Sequence, residues 1–168
     1  MINEIRKGMA VKRFHTSTRL QEETVGHHSA NVCAIILRLN PKCSKNLLVR
    51  ALMHDVPEAY TGDTPATFKW DNPSAKVAIE SGERLYINNT GIPNPPISPA
   101  DTILLKTADM VDLVLSCVEE SNRGNKYAIE IARNGIQYLK DMPFYRSYKD
   151  QIKAMIKEVQ HATNEGKR

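Results

Sequence analysis

His54 and Asp55 stand side by side after the apolar pair Leu52-Met53, and Glu58 follows three residues later. An imidazole and a carboxylate at a helix end offer one nitrogen and one oxygen donor, which suits a divalent metal that keeps an open coordination position. The chain then turns through Thr61-Gly62-Asp63-Thr64-Pro65 and reaches a cation at Lys69.

Two positions elsewhere could join this pair. His28 lies near the start of a predicted helix, and Asp109 lies inside the longest apolar-periodic segment. An acid in such a stripe is costly unless it is paired or bound to metal. Asp109 is four residues from both Leu105 and Leu113, which directs it inward. Lys106, three residues before it, is the alternative partner in an ordinary salt bridge. Taken singly, each of these residues is more often a structural polar group than a ligand. Asp112, one turn beyond Asp109, either hydrogen-bonds a ligand or serves as an exposed or capping residue.

The order of these groups carries more than any one of them. Arg13-Phe14 precedes His28 by fifteen positions; Glu23-Thr24-Val25-Gly26-His27-His28-Ser29 follows, then His54-Asp55-x-x-Glu58-x-x-Thr61-Gly62-Asp63-x-Pro65, Lys69 and Lys106-x-x-Asp109. This set resembles the HD-domain metal-dependent phosphohydrolases, in the branch of bacterial 5′-deoxynucleotidases and compact viral dATP triphosphohydrolases. The resemblance implies one divalent metal per site, held by His28, His54, Asp55 and Asp109. Two nitrogen and two oxygen ligands favour Co²⁺, Mn²⁺, Zn²⁺ or Fe²⁺ over Mg²⁺. It implies Glu58 as general acid/base, and Arg13, Lys69 and Lys106 as clamps on substrate phosphates. Phe14 would pack on the sugar, disfavouring a 2′-hydroxyl, and Asp63 would hydrogen-bond the sugar. His28 is chosen over His27 because it keeps the spacing to Arg13 and directly precedes Ser29. His15 and His161 have no such support and are expected at the surface.

The implied reaction is hydrolysis of the 5′ O–P bond of a deoxyribonucleotide, releasing phosphate from a monophosphate or triphosphate from a dNTP. Relatives form dimers or larger assemblies, so a homo-oligomer is expected. A non-catalytic nucleotide- or nucleic-acid-binding module and a signalling-nucleotide phosphodiesterase are the competing readings. The complete metal and acid/base set opposes the first; Arg13-Phe14 and Thr61-Gly62-Asp63 oppose the second.

Helices must position these groups. Apolar periodicity predicts helices over residues 3–10, 27–40, 45–54, 73–89, 101–122, 126–141 and 147–163, with a short helix and turn over 56–69. Leu47, Leu48, Ala51 and Leu52 are expected to face inward. Ser44 reads as an N-cap and Pro73 as a first helical residue. No segment shows a convincing strand period. The expected fold is therefore all-α, a compact helical bundle forming a single domain over residues 1–168.

Composition agrees. With 168 residues, 41% of them hydrophobic, the chain can build one adequate core. Cys33, Cys43 and Cys117 show no C-x-x-C spacing, which argues against disulfides or a thiolate metal site. The net charge of +4 suits an anionic small molecule, and no basic patch interleaved with aromatics points to nucleic acid. No apolar run reaches membrane-span length and residues 1–10 lack a signal-peptide core, so a cytoplasmic location without membrane contact is expected.

Overall fold

Side-chain caps start the three helices that carry the proposed ligands. Thr24 accepts the His27 amide at the head of α2 (Val25–Leu39), Ser44 accepts the Leu47 amide before α3 (Lys45–Met53), and Ser98 accepts the Asp101 amide before α7 (Pro99–Asn122). The computed structural model describes residues 1–165, with side chains through residue 160, so His161 lies outside the described side chains. The remaining helices are α1 (Ile2–Met9), α4 (Glu58–Thr61), α5 (Ala66–Asp71), α6 (Pro73–Thr90), α8 (Ala128–Asp141) and α9 (Tyr145–Glu165). Among the described residues the only β pairing is an isolated antiparallel bridge between Lys12 and Thr24. The expected all-α fold is the observed one.

α7 is the central strut, packed against α2, α8 and α9. Val32, Ile35, Ile36 and Leu39 of α2 meet Leu47 and Ala51 of α3 and Leu104, Ala108, Val111, Val114 and Val118 of α7. Ala132, Leu139, Ile152 and Met155 extend the same core beneath α8 and α9. Each fully buried Ile, Leu or Val there contributes about 1.5–3 kcal/mol. Leu52 departs from its expected inward position and is exposed. Leu47 and Ala51, four residues apart, take the core-facing row, which leaves Leu48 half-buried and Leu52 turned further outward.

Helices α2, α7 and α9 begin two residues before their predicted starts, α2 and α7 because Thr24 and Ser98 are the working caps, and α8 begins two residues after its own. α1 lies close against the segment after α3: a Cβ on Gly8 would collide with the Val56 backbone, next to Asp55. Gly62, at φ +75°, closes α4 and turns the chain into Asp63. No helix among the described residues is long and apolar enough to cross a membrane.

Candidate active site

His28 sits in the first turn of α2, fully buried, and His54 caps the C-terminus of α3; their ring centroids are 5.2 Å apart. Each ring is fixed through Nδ1. His28 Nδ1 is 2.6 Å from Asp112 Oδ2, and His54 Nδ1 is 2.6 Å from the Ala51 carbonyl. Both Nε2 atoms therefore point into one space, buried and without a well-formed hydrogen bond. Carboxylates ring that space: Asp109 Oδ1 lies 3.1 Å from His28 Nε2, and Asp55 Oδ2 lies 3.5 Å from His28 Nε2 and 3.4 Å from His54 Nε2. Donor atoms of His28, His54 and Asp109 all fall within 4.8 Å of one another. Orphaned imidazole nitrogens facing carboxylates, with their other nitrogens anchored, fit a divalent ion.

All four residues expected as ligands thus converge. His27, the rejected neighbour, is exposed. The ordinary Lys106–Asp109 salt bridge is not formed. Asp112 is buried, not exposed, and its carboxylate pairs with His28 Nδ1, one of the residues expected as ligands. A second group, Glu23, His28 and Asp112, is close enough to hold an ion, but His28 Nδ1 is committed to Asp112, and Glu23 to Arg13, Arg19 and Ser116. Without metal, burial opposes the charge on His28, yet Asp109 and Asp112 outweigh it and raise its pKa to about 9.

Glu58 begins α4, buried, with Oε2 unpartnered. Burial, and then the charges of Asp55 and Asp63, push its carboxyl up to about 9, so it holds a proton at neutral pH. It lines a cleft of about 620 Å³ together with Arg13, Phe14, Asp55, Asp63, Lys69 and Asp109. Arg13 reaches Glu23 at 3.3 Å and lies 4.0 Å from Asp112. Phe14 holds a left-handed backbone, φ +57°, an uncommon state for a bulky residue. Its amide donates to Asp63 Oδ2 at 2.7 Å, tying the Arg13-Phe14 loop to the turn after α4. Lys106 is the exception among the expected substrate residues: it lines a second cleft that shares Asp55 and Asp109 with the first.

Several residues escaped the sequence reading. Trp70 and Tyr138 stack with centroids 6.4 Å apart at the wall of the first cleft. The one tryptophan of the chain, next to Lys69, was the signal available for it. Arg19 lies over the Phe14 ring, 4.4 Å from its centroid, and nothing local marks it. His15 is exposed, as expected.

An all-helical fold that gathers two histidines and two aspartates from α2, the end of α3 and α7 is the arrangement that the resemblance to HD-domain phosphohydrolases implies. The chain belongs to the YfbR-like 5′-deoxynucleotidase family, whose model matches residues 2–159. It is 25% identical over 138 residues to a 5′-deoxynucleotidase of Photobacterium profundum, covering 68% of this chain and 71% of the relative. A 5′-deoxynucleotidase of Vibrio cholerae serotype O1 is also 25% identical, over 147 residues, with the same coverage of 68% and 71%. Among solved structures, the fold is similar to the HD phosphohydrolase DatZ of cyanophage S-2L, bound to dA and one catalytic Zn²⁺ ion, with TM-score 0.71, 15% identity, and 96% and 97% of the two chains covered. It is likewise similar to an HD-domain phosphohydrolase of Listeria innocua, with TM-score 0.68, 17% identity and coverage of 98% and 97%.

Proposed function

We propose that this chain hydrolyses the 5′ O–P bond of deoxyribonucleotides with one divalent metal held by His28, His54, Asp55 and Asp109. The observation that carries this reading is the pair of buried Nε2 atoms, without a well-formed hydrogen bond and facing the carboxylates of Asp55 and Asp109, while both Nδ1 atoms are anchored. The mixed nitrogen and oxygen donors favour Zn²⁺, Co²⁺, Mn²⁺ or Fe²⁺ over Mg²⁺. The ion supplies Lewis-acid charge at the phosphoryl group.

The chain's own groups supply the rest. Arg13 offers a planar fork to phosphoryl oxygens from a ring of carboxylates that keeps it charged, and Lys69 adds a second positive charge in the same cleft. Phe14, fixed by Asp63, lies where a sugar would pack. Glu58 carries the proton that the departing 5′ oxygen needs. Water adds to phosphorus, the P–O5′ bond breaks, O5′ takes the proton of Glu58, and the proton lost by water returns to Glu58. Positioning and charge do most of the work in such transfers, which suits the cations lining the cleft.

The test is incubation of metal-loaded protein with deoxyribonucleotides and ribonucleotides, identifying the released species. Deoxynucleoside is the expected product. No release from any nucleotide with Co²⁺, Mn²⁺ or Zn²⁺ would overturn the reading and favour a binding module.

A further inference from the structure

A short antiparallel register presents Arg13. Lys12 bridges Thr24, the Arg13 amide donates to the Glu23 carbonyl at 2.9 Å, and the Val25 amide donates to the Val11 carbonyl at 2.9 Å. Residues 11–13 are thereby laid against residues 23–25, with Arg13 directly opposite Glu23. The side chains repeat the pairing: Arg13 Nη1 donates to Glu23 Oε1 at 3.3 Å. Glu23 is buried, and its other oxygen is committed too, accepting from the Ser116 hydroxyl and from Arg19 Nη2 at 3.2 Å. Ser116 Oγ in turn accepts from Arg19 Nη2 at 2.7 Å. A carboxylate held at both oxygens cannot turn, so it fixes the orientation of the guanidinium it faces.

Four carboxylates bear on the charge of Arg13: Asp55, Glu23, Asp109 and Asp112. Three of them have other duties. Asp55 and Asp109 are proposed metal ligands, and Asp112, 4.0 Å from Arg13 Nη1, is taken by His28 Nδ1 at 2.6 Å. Glu23 is the one that remains for Arg13.

We infer that Glu23 is a positioning residue for phosphate capture: it holds Arg13 through one guanidinium nitrogen and leaves the other donors for a phosphoryl oxygen in the cleft that Arg13 lines. This rests on the hydrolytic reading above, in which Arg13 meets the substrate phosphate. A long side chain ordered before the substrate arrives does not lose its rotamer freedom on binding, which strengthens the contact. Glu23 touches neither the substrate nor the metal ligands' free donors in this arrangement; it acts through Arg13.

The test uses full-length protein loaded with Zn²⁺ or Co²⁺, with deoxynucleoside mono- and triphosphates as substrates. Glu23→Gln keeps the side-chain size and the backbone pairing, but its amide turns N–H donors toward one of the two arginines. It should lower kcat/KM by roughly tenfold, the cost of a charge-assisted hydrogen bond, mostly through KM, with Zn²⁺ affinity unchanged. Glu23→Asp, which keeps the charge on a shorter side chain, should recover part of the loss. In an Arg13→Ala background, Glu23→Gln should cost little further, because the group it positions is gone. The same loss in both backgrounds, or a Zn²⁺ affinity that falls as far as kcat/KM, would overturn the inference and make Glu23 a packing residue. If thermal melts show that Glu23→Gln does not fold, Ser116→Ala removes only an anchor of Glu23 and goes through the same cycle. A rise in KM that vanishes in the Arg13→Ala background is expected there, and an unchanged KM would overturn the inference. If no nucleotide is hydrolysed with any metal, the hydrolytic reading fails, and calorimetric titration with dAMP still decides Glu23: weaker binding by Glu23→Gln upholds its role, and equal binding removes it.

Discussion

Single atoms decide which histidine can serve as ligand. His28 and His27 are adjacent, yet one is fully buried with Nδ1 against Asp112 and the other is exposed. The carboxylate of Asp112 fixes the tautomer that presents Nε2, so Asp112→Asn should weaken metal binding by about 10–100-fold without removing a ligand. Calorimetric titration with Zn²⁺ or Co²⁺ checks this, and unchanged affinity would reduce Asp112 to packing. Asp55→Ala and Asp109→Ala should lose the metal outright. Glu58→Gln should keep metal affinity and lose roughly 10²–10⁴ in turnover; retained turnover would remove Glu58 from the proton-transfer role. Arg19 acts through Phe14: its guanidinium covers the ring while also holding Glu23 and the Ser116 hydroxyl. Arg19→Met should therefore lower the ratio of deoxy- to ribonucleotide kcat/KM more than it lowers deoxynucleotide kcat, with partial recovery in Arg19→Lys. A uniform loss on both sugars would make Arg19 merely structural.

The helices were legible in the sequence because their signals are local. Ser44 announces α3, Pro73 opens α6, and the stripes of α2 and α7 bury as their periods require. The path of the segment between α1 and α2 was not legible, although its Arg13-Phe14 pair was, because its anchors lie about a hundred residues away. Glu120 of α7, fully buried, accepts the amides of Leu20 and Gln21 at 2.8 and 3.0 Å and the side chain of Asn125 at 2.9 Å. Burial raises the pKa of Glu120, but these hydrogen bonds outweigh it and leave it lowered. A depressed carboxyl contributes stability that is present above its unfolded value, about 4.3, and is lost as pH falls through the folded value. Glu120→Gln should remove that acid-side dependence and cost about 1–3 kcal/mol by leaving a charged acceptor's donors poorly matched. Thermal melts from pH 3 to 7 would show it. Activity should fall as well, since the same loop presents Arg13 and Phe14. A variant with the wild-type pH profile would place the anchor elsewhere.

At the scale of the molecule, the four proposed ligands come from three helices, or the residues just after them, that share one core. His28 is in the first turn of α2, His54 and Asp55 follow α3, and Asp109 is mid-way along α7. They were readable as an ordered motif because His28, the adjacent His54-Asp55 pair and Asp109 are part of the ordered set that carries the family resemblance. Of the second cleft's basic residues only Lys106 was legible, through its spacing to Asp109; Arg50 and Arg84 come from two other helices with no such spacing. Removing metal leaves His28 dependent on Asp109 and Asp112 for charge balance, with Asp109 Oδ1 and Asp55 Oδ2 at 3.1 and 3.5 Å from its Nε2. A ligand bound only by the folded state stabilises it by about 2.7 kcal/mol at one hundred times its dissociation constant. For a chain of this size that corresponds to a fall in Tm of roughly 5–10 °C on chelation with EDTA. The same treatment should leave Asp109→Ala unmoved, because that variant has no metal to lose. If EDTA shifts both proteins equally, the stabilising ion binds outside the cluster of α2, α3 and α7, and the ligand assignment falls with it.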